Sequence, residues 1–283
     1  MHYRKPQSLE RPLGTVSHCN VADMRWQLPE ARDLAPLRYL FFTGKGGVGK
    51  STISSQLIRA LSKRDVTLAV DADPNSNLCD KLGMEVTGTI GGLRNEIVAH
   101  PDMVPAGVSK QDYISTHIRQ IMTETKDIDL LVMGRPEGEG CYCFTNDVLK
   151  NCFNDLIPRY RYAVIDNEAG MEHLSRRVLP RADVILFVSD PTKVGVRTAA
   201  RLSELADEVH IESDKRILII NNVFGDISEQ LMDEARSHGF DDVFVMPHDD
   251  FISRAAMEGD VIEVPSDTPF GKAMSELIDI IEG

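Results

Sequence analysis

From residue 37 onward, short apolar runs alternate with longer stretches of helical spacing. The runs are Leu37–Phe42, Val66–Val70, Ile128–Met133, Tyr162–Ile165, Val184–Val188, Ile217–Ile220 and Val243–Val245. Each is short and nearly continuous in apolar residues, the pattern of a strand buried on both faces. Between them the apolar positions recur at helical spacing, as over Thr52–Leu61, Arg197–Val209 and Phe270–Ile281. This alternation predicts an α/β fold, a doubly wound, mostly parallel sheet with helices on both faces. The first 36 residues lack such a period. They hold Pro6, Pro12, Pro29, Pro36 and the chain's only tryptophan, Trp26, so residues 1–36 are expected to form an irregular, partly disordered extension to a domain over 37–283.

Between the first strand-like run and the first helical stretch lies Gly44-Lys-Gly-Gly-Val-Gly-Lys-Ser51. It fits the G-x-x-x-x-G-K-[ST] phosphate-loop pattern. Glycines let successive backbone N–H groups turn toward one anion, and a helix starting there adds its unpaired donors and dipole. Lys50 supplies a point charge to the β- and γ-phosphates, and Ser51 offers its hydroxyl to Mg²⁺. The segment Gly44 to Thr52 is therefore the candidate ATP-binding loop, and the strand before it and helix after it are the context such a loop requires.

Composition narrows the class. The chain has 283 residues, 42% of them hydrophobic, with 31 basic and 44 acidic side chains and a net charge of −13. That balance, without a basic stripe, argues against nucleic acid as a partner. No apolar run reaches the length of a membrane span, and the N-terminus lacks a signal-peptide core, so a cytoplasmic protein is expected. The five cysteines, Cys19, Cys79, Cys141, Cys143 and Cys152, have no disulfide-framework spacing and fit a reducing compartment. Cys79 and Cys152 read as buried structural thiols and His173 as a structural histidine.

Two acidic segments end strand-like runs, where ligands bind in open α/β sheets. One is Asp71-Ala-Asp73-Pro-Asn75 and the other Asp166-Asn-Glu-Ala-Gly170. A third, glycine-rich segment carries soft ligands: Gly134-Arg-Pro-Glu-Gly-Glu-Gly-Cys141-Tyr-Cys143. Thiolates suit Zn²⁺, Cu(I), Ni²⁺ or an iron–sulfur cluster. Two sulfurs do not complete a four-coordinate site, but two such pairs meeting across a dimer axis do.

Taken together these segments resemble the carbon monoxide dehydrogenase accessory ATPases, the CooC family of nickel-insertion factors, within the deviant phosphate-loop ATPases that also include MinD and the nitrogenase iron protein. The resemblance covers roughly residues 37 to 283. It implies a homodimeric ATPase that binds ATP, Mg²⁺ and Ni²⁺, with Zn²⁺ able to substitute, and serves carbon monoxide dehydrogenase as its client. It implies that Lys45 reaches across the dimer to the partner's ATP, making Lys45, Lys50 and Asp73 the catalytic set, with Asp73 positioning the attacking water. Mg²⁺ would be served by Ser51, Asp71 and Asp166, the carboxylates in part through water. Gly170 would lie near the γ-phosphate, Asn221, Pro247 and Asp249 at the adenine, and Cys141 with Cys143 at nickel or zinc. Two other classes stay open: an electron-transfer ATPase with a dimer-bridging iron–sulfur cluster, and a positioning ATPase that binds DNA or membrane. The latter would need a basic or amphipathic terminal helix, whereas Phe270–Gly283 carries Glu276, Asp279 and Glu282.

Overall fold

The computed structural model describes residues 38–75, 77–135, 156–167, 181–258, 261 and 263–283, with no account of the side chains of residues 110, 111, 115 and 256. The expected extension over 1–36 lies outside these residues.

Among the described residues eight strands form one sheet: β1 (Arg38–Gly44), β2 (Thr67–Ala72), β3 (Thr123–Glu124), β4 (Ile128–Val132), β5 (Tyr162–Asn167), β6 (Arg181–Ser189), β7 (Glu212–Val223) and β8 (Asp242–Pro247). Their order is β3-β4-β2-β5-β1-β6-β7-β8. All pairings are parallel except that of the two-residue edge strand β3 with β4. All seven expected strands are present. The short β3 is new; two residues give no period to read. The chain leaves β1 toward β2 and β4 on one side and later fills β6, β7 and β8 on the other. The carboxyl end of β1 therefore sits where the winding reverses, the place for ligands in such sheets.

Alternate residues of the seven longer strands enter two cores. On one face Leu40, Phe42, Val164, Leu186 and Ile219 pack with α1 (Lys50–Ser62), α2 (Asn77–Leu82) and α8 (Pro269–Glu282). On the other, Phe41, Val70, Ile165, Phe187 and Leu218 pack with α3 (Ile90–Ala99), α4 (Lys110–Ile121), α5 (Lys193–Glu208) and α6 (Glu229–Arg236). A further helix, α7 (Asp250–Glu258), follows β8. The sheet is thus covered on both faces, as the continuous apolar runs require.

The terminal helix α8 is amphipathic, and its apolar side is committed to the core. Phe270, Met274, Leu277, Ile278 and Ile281 are each at most 4% exposed, worth about 2 kcal/mol apiece. No helix among the described residues is long and apolar enough to cross a membrane. Cys79 of α2 is buried in the core that α1 shares, in keeping with the structural role expected of it.

Candidate functional site

The helices begin in two different ways. Thr89, Ser109, Thr192, Ser228 and Thr268 cap α3, α4, α5, α6 and α8, each hydroxyl accepting from a backbone N–H of its own first turn. Those helices satisfy part of their own end. Helix α1 does not: its cap is Gly49, left-handed at φ 94°, with no side-chain hydrogen bond and no acidic residue in the first turn. Its terminal donors and dipole remain available to an anion.

The loop before it is built to approach closely. A Cβ on Gly44 would lie 2.3 Å from the Val188 carbonyl oxygen of β6, so only glycine fits there. Gly47 and Gly49 take φ of 81° and 94°. Lys45, Gly46 and Gly47 are exposed, while Lys50 is 8% exposed. The Lys50 Nζ donates to the carbonyl oxygens of Gly44 (3.3 Å) and Lys45 (3.1 Å), so its charge lies across the loop. Ser51 and Thr52 begin α1, half-buried.

Beside this loop two carboxylates stand at the same level of neighbouring strands. Asp71 of β2 is in register with Asp166 of β5. Both are buried, at 0% and 1% exposure. Asp71 is fully engaged with backbone: Oδ1 accepts from the Asp73 N–H (3.2 Å) and Oδ2 from the Leu78 N–H (3.0 Å). It thereby folds the segment after β2 back onto the strand end. Burial pushes its pKa up to about 7, against the lowering effect of the Leu78 hydrogen bond. Asp166 is different. Neither of its oxygens has a hydrogen-bond partner in the structure. Burial raises its pKa to about 6, and the neighbours that pull it down are the Ser51 hydroxyl, the Lys50 ammonium and the Ser54 hydroxyl. A buried carboxylate with both oxygens unpaired is rare and costly unless a cation completes it. With Ser51 and Asp71 it makes an all-oxygen donor set of the kind Mg²⁺ takes.

The catalytic candidate Asp73 is half-buried just beyond β2. Its Oδ1 accepts from both the backbone N–H (2.8 Å) and the side-chain amide (3.0 Å) of Asn75. Asn75 Oδ1 in turn accepts from the Arg135 guanidinium at 2.7 Å. Arg135 follows β4 and opens the glycine-rich segment that leads to Cys141. The start of that segment is tightly held. Met133 donates its N–H to the Asp71 carbonyl (2.8 Å) and accepts from Gly91 of α3 (2.9 Å). Gly134 is left-handed at φ +67°, and a Cβ on it would lie 2.6 Å from the Thr89 hydroxyl. Neither Asn75 nor Arg135 was expected to matter. Both stand in the segments singled out, but a contact between residues 60 apart has no sequence signal.

At the far side of the loop lie the residues expected at an adenine. Asn221 belongs to a bulge of β7 and donates its amide to the Val48 carbonyl at 2.8 Å, a bond to the phosphate loop itself. Pro247 ends β8 opposite Val223. Asp249 caps α7, its Oδ1 accepting from the N–H groups of Phe251 (2.8 Å) and Ile252 (3.3 Å). Between them His248 pairs with Asn222 Oδ1 (2.7 Å) and Asp250 Oδ1 (3.0 Å) and stacks on Phe224, ring centroids 3.9 Å apart. The structure thus gathers Gly44 to Thr52, Asp71, Asp73, Asp166 and Asn221 around the carboxyl end of β1. Gly170, Cys141, Cys143, Cys19, Cys152 and His173 lie outside the described residues. Among the described residues no three His, Cys, Asp or Glu side chains group to hold a metal ion.

Residues 39–262 match the family described as the CobQ/CobB/MinD/ParA nucleotide binding domain. An uncharacterized ATP-binding protein of Methanocaldococcus jannaschii is 39% identical over 243 residues, 84% of this chain and 96% of that protein. The carbon monoxide dehydrogenase accessory protein CooC of Rhodospirillum rubrum is 30% identical over 183 residues, covering 60% of this chain and 70% of CooC. The fold is shared with the crystal structure of a ParA family ATPase from Chlorobium tepidum, at a TM-score of 0.64 and 19% identity, over 85% of this chain and 98% of that one.

Proposed function

The chain belongs to the CobQ/CobB/MinD/ParA nucleotide-binding family, and from that premise we propose that it is a homodimeric, cytoplasmic ATPase that handles nickel for the maturation of carbon monoxide dehydrogenase. The observation that carries the ATPase half is Asp166: a buried carboxylate with no hydrogen-bond partner, beside Asp71 and beneath an uncapped helix that follows a phosphate loop. The metal half rests on the resemblance to CooC and on the Cys141-x-Cys143 pair.

In this reading the loop N–H groups and the α1 terminus bind the phosphates. Ser51 and Asp166, with Asp71, would hold Mg²⁺, which would supply neutralisation of the phosphate charge. Lys50 leaves the Gly44 and Lys45 carbonyls for the β/γ-phosphate oxygens, where it stabilises charge that grows during transfer. Lys45 does the same for the partner's nucleotide. Asp73 orients the water through the carboxylate oxygen that Asn75 leaves open, and Gly170 approaches the γ-phosphate. Pro247, Asp249 and the Asn221 carbonyl border the base. Cys141 and Cys143 from two chains give four sulfurs for one Ni²⁺, or Zn²⁺ in its place. The Asp73–Asn75–Arg135 chain of hydrogen bonds connects the water-positioning carboxylate to the segment that carries the cysteines. It supports coupling between nucleotide state and metal affinity.

The test is metal content per monomer with and without ATP, in the wild type and in a Cys141→Ala/Cys143→Ala double variant, alongside ATP turnover. One divalent ion per dimer, lost in the double variant and shifted by ATP, is the expected result. Undiminished metal in the double variant removes the cysteine assignment. Absence of ATP turnover, even with client present, removes the ATPase assignment.

A further inference from the structure

We infer that Asn221 is a positioning residue of the phosphate loop: its side-chain amide sets the orientation of the Val48–Gly49 peptide and so aims one of the donors that meet the phosphates. The inference rests on the nucleotide-binding reading of the loop. It goes beyond a place at the base, because the contact runs to the loop's backbone.

Four observations converge. The first is the irregularity of β7. Ile220 pairs with Val245 and Val223 with Pro247, so β7 carries one more residue than β8 between the same two rungs. Such a bulge re-aims the side chains within it. The second is Asn222, which holds a left-handed φ of 62°. Asparagine tolerates that region better than most residues. Its Oδ1 pairs with the His248 ring at 2.7 Å, and the Val223 carbonyl accepts from the His248 N–H at 2.8 Å, so the bulge is braced from β8. The third is the bond itself. With the strand re-aimed, Asn221 Nδ2 donates to the Val48 carbonyl at 2.8 Å, joining residues 173 apart. The fourth is Gly49. A Cβ there would stand 2.4 Å from Asn221 Nδ2, so the loop's last glycine makes room for this amide as well as adopting its own φ of 94°.

The consequence follows from the planarity of the peptide bond. In a trans peptide the C=O of one residue and the N–H of the next point in opposite directions. Holding the Val48 carbonyl against β7 therefore turns the Gly49 N–H away from β7. It also keeps a carbonyl dipole, which would repel a phosphate, tied to the sheet. Among the described residues the N–H groups of Gly46, Gly47 and Gly49 donate to no backbone carbonyl. They are thus the donors such a loop offers. Without the latch the 48–49 peptide is free to rotate. The phosphate must then hold it in place at a cost in affinity.

The experiment compares Asn221→Ala and Asn221→Asp with the wild-type chain. Competition against a fluorescent ATP analogue gives affinities for ATP, GTP and inorganic triphosphate. The near-isosteric Asp variant puts a second acceptor against the Val48 carbonyl; the Ala variant only removes the donor. Thermal melts establish that each variant is folded, and half-burial of Asn221 makes the Ala change tolerable. The latch requires that every one of these ligands the wild type binds, whatever its base, loses affinity by a common factor: about tenfold in Asn221→Ala, from one lost hydrogen bond, and more in Asn221→Asp. A role confined to the base would instead lower the preference of ATP over GTP and leave GTP and triphosphate binding unchanged. That outcome overturns the inference while leaving the ATPase reading intact. A wild-type chain that binds no nucleotide overturns both.

Discussion

Replacing Asp166 by asparagine should make the ligand-free protein more stable while removing its activity. The carboxylate is 1% exposed and both oxygens are unpaired. Burial raises its pKa from 3.8 to about 6. That rise corresponds to about 3 kcal/mol of stability lost by the folded state when the group is ionised. The sign follows from linkage: the native state holds this proton more tightly than the unfolded chain, so stability falls as pH rises through the window from about 4 to about 6 and stays low above it. Asparagine has the same shape and no charge, and the Ser51 and Ser54 hydroxyls are at hand to accept from its amide. At pH 8 without Mg²⁺ the variant should therefore melt about 6 to 12 °C above the wild type, for a domain of this size. The difference should close as pH is lowered toward 4, where the wild-type carboxyl takes up its proton. Adding Mg²⁺ and ATP should reverse the order, because only the wild type gains the binding free energy of the ion. Differential scanning calorimetry at pH 8 and pH 4.5, with and without Mg²⁺–ATP, reads all four states. A variant that melts at or below the wild type at pH 8 in the absence of ligand would refute the idea that Asp166 is an uncompensated charge awaiting a cation.

Lys50→Ala should abolish ATP hydrolysis, and Lys45→Ala should abolish it while also weakening ATP-driven dimerisation, seen by light scattering; normal turnover by the Lys45 variant removes the case for a lysine acting across the dimer. Asp73→Asn should leave nucleotide binding nearly intact and slow hydrolysis, so that the ATP-bound dimer accumulates. Titrated with a competing chromophoric chelator, that trapped state should show a nickel or zinc affinity different from the nucleotide-free protein, and equal constants would break the coupling. Arg135→Ala, which cuts the bond to Asn75, should shrink the difference between the two states without changing the number of ions bound; an undiminished difference would show that the signal travels another way.

The sequence by itself determined the seven principal strands and the chemistry of the loop. Continuous apolar runs are local facts, and a two-sided parallel strand leaves no other trace. Gly44, Gly47 and Gly49 state their backbone requirement in their own identity. The pairing of Asp71 with Asp166 was legible only as two carboxylates at strand ends. That they share a level on adjacent strands follows from β5 lying between β1 and β2, an order no local pattern records. Tertiary structure alone decided the rest. The two-residue β3 is too short to carry a period. The bond from the Asn221 amide to the Val48 carbonyl depends on the bulge in β7, because one extra residue between two rungs changes where a side chain points. The Asn75–Arg135 bond joins two loops that the parallel strands β2 and β4 end side by side. Sequence names the groups that can do chemistry; which of them face each other is set by strand order and register, and those are long-range choices made by the packing of the whole core.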